Sequence, residues 1–200
     1  WREQQQYGGD GALTAAFAHR LFGDIRLTKR FLYEYSEGLN STGQMQSTFP
    51  ACWDQIIPAW SLCWIEALSE YYWFSGDMSP ASKLLPRVKS VLQWFASIQQ
   101  QDGILSVPEV FHREQPEAEQ TIWNFIEWPN DFPLWQRNIL LTLHWAATLE
   151  CAIRLYGTTA SGHTRKQWTD WRTAALAGAD TYAKRQPEAA GFWSSPRFLV

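Results

Sequence analysis

Apolar positions recur with helical spacing through most of this chain, and they do so in two different ways. In "LTKRFLYEYSEGL" the residues Leu27, Phe31, Tyr35 and Leu39 return every four positions with charges opposite, which predicts a helix covering a core from one side. "SPASKLLPRVKSVLQWFASIQ" predicts a second one-sided helix, with Ser79 as N-cap, Pro80 at the first helical position, and Leu84, Val88, Val91, Phe95 and Ile98 on one face. Pro86 falls early in it and predicts a kink or a shifted start. "TRKQWTDWRTAALAGADTYAKR" shows the same single stripe through Trp168, Trp171, Ala175, Ala179 and Tyr182. By contrast, "WSLCWIEALSEYYWF" and "NILLTLHWAATLECAIRLYG" are apolar or aromatic nearly all the way round, as helices buried on most of their circumference are.

The two kinds alternate, and a weak repeat marks the joints. "RLFGD", "YWFSGD" and "RLYGTT" each end a helix on an aromatic and a glycine, with an Asp or Thr following that can cap the next helix. Helical hairpins of alternating enclosed and one-sided helices predict an all-α toroid, with inner helices ringed by outer ones. Two stretches escape the periodicity, residues 41–58 and 101–133, both rich in Pro, Gly, Asp and Trp. Long irregular connections in a compact fold are usually functional loops, and in a toroid they gather at one end around a central cleft.

Composition narrows the function. The chain has 200 residues, 46% of them apolar, enough for one domain or part of one. With 18% charged residues and a net charge of −3 there is no basic surface for nucleic acid. Glu66 and Glu70 interrupt the longest apolar run, so a membrane span is not expected and the chain reads as soluble. No leader is visible and the compartment stays open. Cys52, Cys63 and Cys151 lack paired or metal-ligand spacing and read as buried thiols. The four histidines are scattered without ligand spacing, so neither metal nor cofactor is expected. The outlier is tryptophan, 13 in all, of which about two thirds are assigned to the core and the rest to flat faces suited to sugars.

The remaining chemistry is carboxylates among aromatics. If "WREQQQYGGD" is helical, Glu3, Tyr7 and Asp10 share one face, with Arg2 leaning toward it. A partly desolvated glutamate beside an aromatic stays protonated and serves as a general acid. Asp10 reads equally as a ligand or as the N-cap of "GALTAAFAHRLF", whereas composition alone favours Glu3 as a frayed, solvated terminus. Glu127, flanked by Trp123 and Trp128, suits a sugar subsite or is merely solvated.

"WREQQQYGGD" resembles the acid-bearing motif of glycoside hydrolase family 78, the bacterial and fungal α-L-rhamnosidases. "IPAWSLCWIEALSEYYWFSGD", "FIEWPND" and "NILLTLHWAATLECAIRLYG" are similar to further segments of that family. The resemblance implies an (α/α)6 barrel and inverting removal of terminal α-L-rhamnose from a rhamnose-containing glycoside. Glu3 matches the general acid, and Arg2 and Asp10 match residues that hold the sugar hydroxyls. Tyr7 stands at an aromatic position, Trp60 and Trp128 fall near sugar-stacking aromatics, and Glu127 replaces a common aspartate. The family's aspartate before Trp-Arg-Glu has no counterpart, and its catalytic base lies beyond Val200. The expectation is therefore that residues 1–200 form the N-terminal part of the barrel, about six helices, with the remainder outside this chain. A flank of uncovered apolar residues should then be exposed. Two rival readings stay open: a toroid glycosidase acting on glucosides, and a non-catalytic carbohydrate-binding or structural helical domain.

Overall fold

A computed structural model describes residues 4–52, 54–111, 120–126, 132–157 and 159–185. Among them are six helices: α1 (Gly8–Phe22), α2 (Arg26–Ser36), α3 (Pro58–Ser75), α4 (Ser79–Ser97), α5 (Leu134–Leu155) and α6 (Gly162–Arg185). α3 lies between α1 and α5 and packs on both, forming an inner row, while α2 and α4 pack behind α3 and α6 packs on α5. The protein is an all-α arc of helical hairpins.

The alternation in the sequence is the alternation in the fold. α3 buries Leu62, Trp64, Ile65, Leu68 and Tyr71, and α5 buries Leu141, Trp145, Leu149 and Ala152, so both inner helices are covered on most sides. α4 buries Leu84, Val88, Val91 and Phe95 on one face, as its stripe predicts, and carries Pro86 inside the helix. α6 buries Trp168, Ala175 and Ala179 in the same way. α2 departs from its predicted stripe at both ends: Phe31 and Tyr35 are buried, but Leu27 is exposed and Leu39 lies past the helix, bridged to Met45.

Helix ends follow the glycine rule at two of the three predicted joints. Gly23 (φ 62°) and Gly76 (φ 70°) end α1 and α3 in the left-handed region, where a Cβ would be strained. Asp24 and Asp77 then accept hydrogen bonds from the backbone N–H groups of Arg26 and Ser79. α5 instead ends on Tyr156 without a left-handed glycine, its N–H bonded to the carbonyl of Ala152. The cap of α4 is Met78 rather than Ser79, because Asp77 has taken the first turn's N–H.

Among the described residues, five tryptophans belong to the core or pack against it: Trp64, Trp145, Trp168, Trp94 and Trp171. Trp64, Trp145 and Trp168 are fully buried, Trp60, Trp94, Trp123 and Trp171 are half-buried, and Trp73 and Trp135 are exposed. The cysteines are free, Cys52 exposed and Cys63 and Cys151 half-buried, which corrects their reading as buried thiols. On α1 the exposed side carries Leu13, Phe17 and Leu21, an uncovered apolar strip along the open edge of the inner row. No helix among the described residues is long and apolar enough to cross a membrane.

Candidate functional site

The inner helices α1, α3 and α5 are each entered through an irregular segment, and these segments interlock at one end of the arc. The strand β1 (Gln55–Ile56) pairs in parallel with β2 (Thr121–Ile122), joining the two long loops. Residues 6–8 lie against the first loop. Tyr7 bridges Thr48, the Gly8 N–H donates to the Ser47 carbonyl at 3.0 Å, and the Gln6 amide donates to the Phe49 carbonyl at 2.8 Å. The Tyr35 hydroxyl, fully buried, donates to the Gln46 carbonyl at 2.6 Å and holds this loop from below.

The N-terminal segment is not helical through position 7. Tyr7 is extended (φ −74°, ψ 138°) and α1 starts at Gly8, so Asp10 sits in the first turn and is not the N-cap. Packing explains the start. A Cβ on Gly8 would meet the Tyr35 hydroxyl at 2.2 Å, one on Gly11 the ring of Phe31 at 2.4 Å, and one on Gly9 Trp60 Nε1 at 2.7 Å. The glycines let this turn seat against α2 and α3 at once.

Of the expected residues, Tyr7 and Trp60 come together: their rings meet edge-on, centroids 5.3 Å apart. Trp60 also meets Phe125 at 6.3 Å, and Phe125 meets Trp123 at 4.8 Å. Four rings from three chain segments thus form one wall at the loop end, all but Phe125 half-buried. Asp10 is exposed and turns toward the other side of Tyr7, where a cleft of about 580 Å³ lies between α1 and α2, lined also by Gln5, Thr14, Arg30 and Glu34. Tyr7 borders both the wall and this cleft. Arg2, Glu3, Glu127 and Trp128 lie outside the described residues.

Behind the wall is a network the sequence did not disclose. Arg137 on α5 forks onto Glu109, Nη1 to Oε1 at 2.5 Å and Nη2 to Oε2 at 3.1 Å, with both side chains nearly buried. The same guanidinium donates to the carbonyls of Asn124 and Phe132 at 2.8 and 3.0 Å. Asn138 accepts from the Asn124 amide at 2.9 Å and from the Val107 N–H at 3.3 Å. An arginine and a glutamate 28 positions apart leave no periodic trace, and only the unusual Asn138 and Thr142 on an otherwise apolar face hint at it.

Further along α3 and α5, His144 Nε2 lies 3.2 Å from Glu66 Oε1, and Thr148 donates to the same oxygen at 2.7 Å. Burial pulls the imidazole toward its neutral form, but hydrogen bonds with Cys63 and Glu66 and the Glu66 charge prevail and push its pKa up to about 10. His19, between α1 and α3, is the opposite case: buried, stacked on Phe74 at 5.0 Å, with neither ring nitrogen hydrogen-bonded among the described residues. Burial lowers its pKa, opposed by Glu70 and assisted by Arg20.

No family model matches the sequence, and no curated protein matches it. Solved structures do resemble the fold. A GH78-family rhamnosidase of Bacillus sp. GL1 superposes with a TM-score of 0.68 at 22% identity, over 90% of this chain and 17% of that one. A rhamnosidase from Klebsiella oxytoca with rhamnose bound gives 0.73 at 16% identity, over 88% of this chain and 33% of that one. The chain thus spans a third or less of the neighbours' length, and the likeness is one of fold.

Proposed function

We propose that this chain is the acid-bearing part of a glycoside hydrolase that removes terminal α-L-rhamnose with inversion, and that the rest of the toroid lies outside it. The observation carrying this reading is the loop-end wall of Tyr7, Trp60, Phe125 and Trp123. Aromatic faces of this kind suit the CH-rich faces of a sugar. The segment that forms its edge follows directly on Arg2 and Glu3 in the sequence, the pair that resembles the acid motif. The fold shared with two rhamnosidase structures supports the same assignment.

In this mechanism Glu3 protonates the glycosidic oxygen as the aglycone leaves, while a second carboxylate, about 6.5–9.5 Å away, takes a proton from the attacking water. Tyr7 and Trp60 hold the sugar ring, Arg2 and Asp10 its hydroxyls, and Glu127 and Trp128 complete the subsite. No residue of this chain is assigned as the base.

The test is release of a chromogenic aglycone from α-L-rhamnoside, with the matching glucoside in parallel, by the longest natural protein containing this segment and by its Glu3→Gln variant. Rhamnoside turnover lost on substitution is expected. Turnover of the glucoside alone would assign another toroid glycosidase, and sugar binding unaltered by Glu3→Gln without any hydrolysis would assign a binding domain.

A further inference from the structure

Arg137 is unusually committed for a residue with no assigned role. Its guanidinium reaches the Glu109 carboxylate and the Asn124 carbonyl, 28 and 13 positions earlier in the chain, and the carbonyl of Phe132 just ahead of its own helix. Glu109 in turn accepts from the Asn124 backbone N–H at 3.0 Å, so residue 124 is held by both partners of the ion pair. Asn124 is fully buried and lies between the wall residues Trp123 and Phe125. On its far side Trp123 donates its backbone N–H to the Ile56 carbonyl at 3.0 Å, four residues before Trp60.

From this arrangement we infer that Arg137 is a positioning residue: with Glu109 it fixes the backbone at Asn124 and so sets Trp123 and Phe125 against Trp60 in the sugar-facing wall. The inference rests on the glycosidase reading for what the wall contacts, and on the geometry alone for what holds it. Only an arginine fits the task, because the planar fork meets both carboxylate oxygens and still has donors for two carbonyls. A lysine brings the charge without the fork. A buried pair of this kind need not add stability. Replacing both partners by apolar residues of similar volume is often neutral or stabilising, whereas removing one partner strands a buried charge. Stability and positioning can therefore be separated by choice of variant.

The experiment compares wild type, Arg137→Lys and the double variant Glu109→Met/Arg137→Met in the longest natural protein containing the chain. Melting temperature, KM and kcat on a chromogenic α-L-rhamnoside, and the near-ultraviolet circular dichroism of the coupled aromatic rings are recorded. The double variant is expected to keep its melting temperature within a few degrees. In both variants KM rises about tenfold, kcat stays within about threefold, and the aromatic dichroism falls. Unchanged KM and dichroism in a well-folded double variant would overturn the inference, as would losses of kcat and KM that simply track melting temperature. Wild-type protein with no rhamnoside turnover would count against the glycosidase reading, and the dichroism would then decide the positioning role by itself.

Discussion

Removing a single oxygen, in Tyr35→Phe, tests whether the loop end is held from beneath as described. The hydroxyl is fully buried and donates at 2.6 Å to the Gln46 carbonyl, and the neighbouring Ser47 carbonyl receives the Gly8 N–H. Phenylalanine fills the same space, so no cavity term arises, and the cost is one buried hydrogen bond plus the stranding of a carbonyl, about 1.5 kcal/mol. For a chain of this size that corresponds to a fall of about 3–6 °C in melting temperature. Tyr33→Phe is the control, since the Tyr33 hydroxyl makes no hydrogen bond among the described residues and its ring is only half-buried. Urea titration of both variants supplies the free energies, and hydrogen exchange reports whether the Gly8 amide loses protection with the loop. A cost below about 0.5 kcal/mol for Tyr35→Phe, or one equal to that of Tyr33→Phe, would refute the argument that this hydroxyl ties α2 to the site loop.

Two histidines give predictions of opposite sign. His19→Leu removes two buried nitrogens without partners and should stabilise the protein by about 1–2 kcal/mol, read by urea unfolding at neutral pH. Because the folded pKa of His19 lies below the unfolded value of about 6.5, the unfolded chain takes up its proton first, and wild-type stability falls as pH drops through that region; the variant should lack this part of the acid slope. His144→Gln should destabilise, since the imidazolium paired with Glu66 titrates at about 10 against about 6.5 unfolded. That stabilisation is complete below about pH 6.5 and lost as pH rises toward 10, so the gap between wild type and His144→Gln should shrink over that window; a gap that does not change with pH would contradict the pairing.

Periodicity carried most of the fold because burial and helical repeat are the same fact seen twice: α3 and α5 are enclosed, and their sequences are apolar all round. It failed where tertiary packing overrides local preference. For the start of α1 an Asp10 cap was one of two open readings, yet the start is set by three glycines that let Tyr35, Phe31 and Trp60 approach, a constraint that composition does not reveal. Leu27 fits the α2 stripe in register but falls in the first turn, beyond the reach of the core. At the site, the family resemblance named Tyr7 and Trp60 separately, but their contact was not legible, since they are 53 positions apart in a chain with no local rule linking them. Asp10 lines the cleft between α1 and α2 together with Tyr7, and Trp60 does not. The Arg137–Glu109 fork was beyond sequence reasoning altogether, since a charge on a helix predicts exposure until its partner is known.

The contact of Gly9 with Trp60 ties two choices that evolution would otherwise make separately. With 2.7 Å between a would-be Cβ and the indole nitrogen, any side chain at position 9 has to push the ring away or be matched by a smaller residue at position 60. A lineage that trims Trp60 frees position 9 to vary, and one that retains the indole must retain the glycine, so a side chain at position 9 should occur only beside a smaller residue at position 60.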